Sequence, residues 1–261
     1  MAATQADPGG DVLMTSSGDL SADLHRRIRA GEFAVGSKLP TNAELMATHG
    51  VSKATVTKAI AALADAGLVF SSKRAGTVVR SQTPVQIPLS RYGQILAPGG
   101  TRGPWESATA AQGLDGHMEL ISVERVLADA ETAELLNLSE GDGLVYRVRH
   151  ALIRPADVVQ LQHAWYPAAL AEQAGLDSTG KITGGVYGAL AAAGHRPATA
   201  TETVSARMPT EAEAAQLRIG GRVAVLTLNR LTCDAAGQPL EFLSAVAPAD
   251  RLQLSYDNLP L

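Results

Sequence analysis

Cysteine is almost missing from this chain. The single residue, Cys233, excludes an internal disulfide framework and a cysteine-based zinc cluster, and fits a reducing compartment. Aromatic residues make up only 4% of the sequence. No run of about 18 apolar residues is present to span a bilayer. The opening MAATQADPGGDVLMTSSGD lacks a basic flank followed by an apolar stretch, so no signal peptide is expected and a cytoplasmic protein without membrane contact is. Neither GxxxxGK[ST] nor a strand-borne GxGxxG occurs, which removes the phosphate-cradling loops. GxSxG, HExxH and a compact carboxylate pair are also absent, and the histidines (His25, His49, His117, His150, His163, His195) are scattered. No catalytic residue, metal site or cofactor is therefore expected. What remains is 261 residues that are 46% apolar, enough for two compact domains.

The net charge of -4 is unevenly spread. Residues 19–82 carry nine basic groups (Arg26, Arg27, Arg29, Lys38, Lys53, Lys58, Lys73, Arg74, Arg80) against five acids, whereas residues 83–261 carry thirteen against nineteen. A basic front on an acidic body is the asymmetry of a protein whose first part meets phosphates.

Residues 1–18, rich in Gly, Ser, Thr and Ala, read as a flexible tail. From Asp19, Leu20, Leu24 and Ile28 recur every four residues and mark a helix that stops at Gly31. After the connector FAVGSKLPT, Thr41 caps a second helix over Ala43–Thr48, and Ser52 caps a third that runs to the stop at Gly67. Leu68–Phe70 and Thr77–Val79 form two strands around the basic tip SSKRAG. Helix, helix, tight turn, helix and basic hairpin outline a winged helix-turn-helix. In its third helix Val56, Ile60 and Leu63 face the core, leaving Lys53, Ala54, Thr57 and Lys58 at the exposed end that enters a major groove.

LPTNAELMATHGVSKATVTKAIAALADAGLV followed by KRAGTVV resembles the DNA-binding domain of GntR-type bacterial transcription regulators. The chain departs from the family at Ala43, Lys53 and Thr57, where arginines are usual, and in the wing, where the family's Gly-x-Gly-Thr is Arg74-Ala75-Gly76-Thr77. Losing planar, bidentate guanidinium groups implies a different operator preference, not a lost role. The resemblance implies DNA contacts at Lys38, Thr41, Ser52, Lys53, Thr55, Thr57, Lys58, Lys73, Arg74, Gly76 and Thr77. Ser52 and Thr55 would position phosphates, and Lys53, Thr57 and Lys58 would read bases.

Residues 83–98 read as a proline-containing linker with room for one strand, and organised structure is expected to resume at Met118, within a domain spanning 99–261. Two passages in it, TAELLNLSEGDGLVYRVRH and EAAQLRIGGRVAVLTLNR, each run a short helix through a turn into a strand, which the loop RPAD or CDAAGQP joins to another strand, an internal duplication of a helix–hairpin unit around one antiparallel sheet. Gly184–Gly194 carries Val186, Leu190 and Ala193 at helical spacing. This half resembles the UTRA effector domain of the HutC-type branch, which implies an α+β, chorismate-lyase-like fold. AEAAQLRIGG, AAGQPLEF and DRLQL carry that resemblance. Aligned to Tyr166-Pro167, His150 and Leu152 stand where sugar-phosphate-binding members place arginines, and Gln162 where they place a glutamate. Glu241 matches a second family glutamate, and Ala247 replaces a tyrosine. The implied effector is neutral or weakly polar, not a sugar phosphate, and is gripped by His150, Gln162 and Glu241 with Trp105 and Trp165 lining the pocket. Beside that role, His150 and Trp165 read as packed sheet residues, and Glu241 as a solvated turn residue.

The sequence thus predicts a ligand-responsive repressor. A homodimer binds a near-palindromic double-stranded operator and is released by a small molecule. The second reading is a chorismate-lyase-like enzyme domain tethered to a DNA-binding module. An all-helical, metal-containing effector domain and an aminotransferase-fused regulator fit neither the histidine pattern nor the length.

Overall fold

The structure, a computed structural model, describes residues 16–72, 76–88, 103–153, 157–180, 182 and 184–255. The chain divides into two compact units, through Ser81 and from Gln82 onward.

In the first unit, α1 spans Ser17–Arg29 and begins ahead of the predicted Asp19. The reason is a capping box: the Ser16 hydroxyl accepts from the Asp19 amide at 3.1 Å, and the Asp19 carboxylate accepts from the Ser16 amide at 3.2 Å. A second such box, Thr41 with Glu44, starts α2 (Asn42–His49), which Gly50 ends in the left-handed region at φ 64°. Ser52 caps α3 (Lys53–Asp65). β1 (Val69–Ser72) and β2 (Gly76–Val79) then pair antiparallel, and Lys38 bridges to Val78. Leu20, Leu24, Ile28, Leu45, Val56, Ile60 and Leu63 bury together as one core. Each fully buried leucine contributes about 1.5–3 kcal/mol relative to exposure.

The second unit is built on a six-stranded, wholly antiparallel sheet. Its strands are β4 (Gly116–Leu127), β5 (Gly143–Ile153), β6 (Asp157–Pro167), β7 (Thr199–Arg207), β8 (Val225–Cys233) and β9 (Pro239–Pro248), in the order β4-β5-β6-β9-β8-β7. Two segments ahead of Met118 are ordered, the one strand for which the linker had room and a helix that was not expected. β3 (Val85–Pro88), inside the expected linker, pairs in parallel with β10 (Leu252–Ser255), because Val85 and Ile87 bury against Leu252. Pro104–Ala110 is a helix, α4, with Pro at its first turn and Trp105 buried. Residues 89–98 of the linker lie outside the described residues.

The internal repeat is one strand longer than the sequence suggests. β4, α5 (Ala130–Leu136), β5 and β6 are followed later by β7, α8 (Glu211–Leu217), β8 and β9, and the halves meet where β6 pairs β9. Both repeat helices end on a non-glycine residue in the left-handed conformation, Asn137 at φ 54° and Arg218 at φ 53°. The same spacing that relates Asn137 to Arg218 relates Arg149 to Arg230 and their cross-strand partners Gln162 to Leu243. α6 (Ala168–Gln173) and α7 (Gly185–Ala192) cover one sheet face, while α5 and α8 pack on the other.

Candidate functional site

In the first unit, the residues singled out for DNA contact gather at the start of α3 and along the hairpin. Ser52, Lys53, Thr57 and Lys58 are exposed and Thr55 is half-buried, while the opposite side of α3 buries Val56, Ala59, Ile60 and Leu63. Ser52 is spent on the helix cap: its hydroxyl accepts from the Thr55 amide at 3.1 Å and meets the Thr55 hydroxyl at 2.9 Å. The Thr57 hydroxyl donates to the Lys53 carbonyl at 2.9 Å. The first turn of α3 holds no acidic residue, and Lys53 and Lys58 are exposed beside it. Such a surface favours anions. Thr41 is occupied by its capping box with Glu44, whose carboxyl is held below the ordinary value by Thr41's backbone and hydroxyl hydrogen bonds. Lys38 and Gly76 are exposed, and Thr77 pairs its hydroxyl with Ser71 at 2.8 Å. Lys73 and Arg74 lie outside the described residues.

The second unit holds a cavity of about 690 Å3 on the sheet face under α7. Strand alternation decides what enters it. β5 turns Arg147 and Arg149 toward the cavity, and β6, β8 and β9 add Gln160 and Gln162, Leu228 and Arg230, and Glu241 and Leu243. Trp105, Gln162 and Glu241 from the sequence reading meet there. His150 and Trp165, one residue out of phase, lie on the other face. Trp165 stacks between Tyr146 and Phe242, with ring centroids at 4.9 and 5.6 Å. Burial depresses the pKa of His150, partly offset by Gln216 and Glu119. Leu152 is buried beneath Trp105, whose indole Nε1 donates to the Leu152 carbonyl at 3.0 Å. Arg147, Arg149 and Arg230 were missed, although the alternation in VYRVRH already puts two arginines on one face.

Glu241 is the electrostatic centre of the cavity wall, only 1% exposed. Its carboxylate accepts from the Tyr166 hydroxyl at 2.5 Å and the Tyr187 hydroxyl at 3.2 Å, and from Arg230 at 3.2 Å. Arg149 stands 3.9 Å away. Burial would raise this carboxyl, but Arg230 and Arg149 reverse the effect and hold it below its ordinary value. Tyr166, fully buried beside that charge, is pushed far up. Arg147 donates to the carbonyls of Leu176 and Ser178. The Nε–H groups of Arg147 and Arg149 are buried without a hydrogen-bond partner among the described residues.

Comparison with known proteins agrees with both halves. The profile of the UTRA domain matches residues 111–253, and that of bacterial regulatory proteins of the gntR family matches residues 17–79. An uncharacterized HTH-type transcriptional regulator of Streptomyces coelicolor is 29% identical over 244 residues, covering 92% of this chain and 91% of the relative. The HTH-type transcriptional regulator GgaR of Escherichia coli is 24% identical over 217 residues, covering 82% and 79%. The crystal structure of PhnF from Mycobacterium smegmatis superposes with a TM-score of 0.60 at 22% identity, covering 92% of this chain and 99% of that one. At that identity the last likeness speaks to the fold.

Proposed function

The chain belongs to the GntR-family transcription regulators that carry a UTRA effector domain, and on that premise we propose that it is a repressor whose homodimer holds a near-palindromic operator until a small acidic metabolite enters the cavity. The family consists of DNA-binding regulators that respond to small molecules through the UTRA domain. The DNA-binding part of the proposal rests on one observation: the exposed, acid-free first turn of α3 with Lys53 and Lys58 beside it. Two-fold protein symmetry calls for a two-fold target, since one such domain covers a half-site.

The effector's acidity rests on the cavity. Aligned to Tyr166-Pro167, His150 and Leu152 stand at the guanidinium positions of sugar-phosphate-binding members. Arg147 and Arg149 face the cavity instead, and with Arg230 they outnumber the lining acids Glu106 and Glu241. An anion beside the cavity-lining guanidinium of Arg149 gains charge-assisted hydrogen bonds of roughly 1.5–3 kcal/mol each. The domain acts as a sensor, not a catalyst, in a cytoplasmic protein. No helix among the described residues is long and apolar enough to cross a membrane.

Fluorescence anisotropy on the chain's own upstream promoter fragment tests the first part. Binding at low salt with nanomolar to micromolar affinity is expected, and indifference to that fragment refutes it. A thermal-shift series with inorganic phosphate, sugar phosphates, carboxylic acids and neutral sugars tests the second. Stabilisation by neutral sugars alone would overturn the acidic effector.

A further inference from the structure

The cavity of about 690 Å3 is far larger than an acidic group, and the strand register shows what surrounds the rest of a ligand. Pairing lines its floor up in three rows, each two residues and about 7 Å from the next along the strands. The first row carries Arg147, Leu243 and Arg230, with Glu241 two residues along β9. The second carries Arg149, Gln162 and Leu228. The third carries Met118, Ala151 and Gln160. The three guanidinium groups are therefore confined to one end.

The other end is apolar. Ile87 of β3 and Leu252 of β10 bury there with Trp105 and Ala151 in one cluster, against which Met118 and Leu254 pack. Ile87, Met118, Leu252 and Leu254 all line the cavity, and Ile182 and Val186 join them from the α7 side. Few polar groups are left for a ligand along this stretch. The amides of Gln160 and Gln162 bond to each other at 2.7 Å, and the Tyr187 hydroxyl is engaged with Thr232 and Glu241 at 3.0 and 3.2 Å. The ionisable groups at this end are Glu106, which accepts from the Met118 amide at 3.1 Å, and His117, both half-buried.

We propose that this end is a subsite for hydrocarbon and that the effector is a carboxylic acid with an alkyl body. The carboxylate lies among Arg147, Arg149 and Arg230, and the chain runs over Met118 to Ile87, Leu252 and Leu254. From the first row to the third is about 13 Å, the reach of a medium-length chain. A sugar phosphate brings a hydroxyl on nearly every carbon, and leucine and isoleucine would desolvate those hydroxyls without offering a partner. An alkyl chain has no such penalty and gains by leaving water.

This inference rests on the acidic effector proposed above and names its class. The test is isothermal titration calorimetry of the full chain with butanoate, hexanoate, octanoate, octanol and glucose-6-phosphate. Affinity should rise about fourfold per methylene from butanoate to octanoate, the equivalent of about 0.8 kcal/mol. Octanol, without the charge, and glucose-6-phosphate, without the hydrocarbon, should each bind about tenfold or more weakly than octanoate. Leu254→Asn should lower octanoate affinity about tenfold and leave butanoate unchanged, whereas Arg149→Gln should weaken both acids alike. Circular dichroism melts without ligand confirm that both variants are folded, and the wild-type series carries the test without them. Equal affinities along the carboxylate series, or glucose-6-phosphate bound more tightly than octanoate, overturn the hydrocarbon subsite and leave the acidic effector standing. So does a folded Leu254→Asn that binds octanoate as wild type does. Octanol bound as tightly as octanoate, with Arg149→Gln without effect, overturns both. A chain that binds no carboxylate of the series at millimolar concentration overturns the subsite.

Discussion

Replacing Glu241 with glutamine removes one negative charge from a buried site. The side chain is 1% exposed and its two cationic neighbours, Arg149 and Arg230, are only 15% and 11% exposed. Removing one member of a buried pair costs about 3–5 kcal/mol, because the other charge stays buried and uncompensated. Glutamine keeps the volume, and its carbonyl still accepts from Tyr166 or Tyr187, so Glu241→Gln should cost about 2–3 kcal/mol. For a unit of this size that lowers the melting temperature by about 4–12 °C. Adding Arg230→Met to the glutamine variant should recover more than half the loss, since an apolar replacement of the whole pair is nearly neutral. The acid limb supplies a second readout. The folded-state pKa of Glu241 is depressed below 4.5, so its stabilisation is complete above that value and disappears as pH falls through the depressed one. Urea melts from pH 2 to 7 should show a shallower acid limb in Glu241→Gln. A glutamine variant as stable as wild type, with the same acid limb, would refute the electrostatic account of the cavity wall.

Lys53→Ala should weaken operator binding by about 1–3 kcal/mol if the ammonium reads a base edge, and equal losses on operator and random DNA in anisotropy titrations would move it to a phosphate. Gly50→Ala forces a side chain to φ 64° with nothing crowding the added carbon, so the cost is backbone strain alone, about 1–2 kcal/mol, read as a lower melting temperature of the first unit. Arg207 holds the Glu213 carboxyl down at about 2 through a hydrogen-bonded ion pair. The stability from that depression is present above pH 4.5 and lost between there and pH 2; Arg207→Ala should remove most of it, shown by urea midpoints that vary less over that interval.

The first unit was largely legible because its signals are local. Thr41, Ser52 and Gly50 cap or stop helices through bonds within a few residues, and Leu20, Leu24 and Ile28 bury on the period that the sequence shows. In the second unit the local signals gave the repeat helices and hairpins but not the long-range pairings. Val85–Pro88 becomes a strand only because Leu252–Ser255 lies beside it, far away in the chain. Pro104–Ala110 is too short to show periodicity, and its burial depends on Trp105 reaching Leu152. The effector residues depended on register. Adjacent residues of a strand lie on opposite sheet faces, so His150 points away from the cavity that its neighbour Arg149 lines.

The duplication also accounts for the sign of the cavity. Arg149 and Arg230 occupy matching positions in the two repeats, and so do Gln160 and Glu241. Had both repeats kept a glutamate there, each guanidinium would own a carboxylate and the wall would be neutral. Only the second repeat has one, so Arg230 pairs with Glu241 at 3.2 Å and Arg149 reaches the same group from 3.9 Å. In its own repeat Gln160 offers an amide, which is already accepting from Gln162 at 2.7 Å. Arg147 deepens the asymmetry, since Leu228 holds the matching place. The positive surplus therefore comes from the positions where the repeats have diverged, and it lies on the β5 side of the cavity. An acidic ligand bound there would supply the charge that Gln160 lacks.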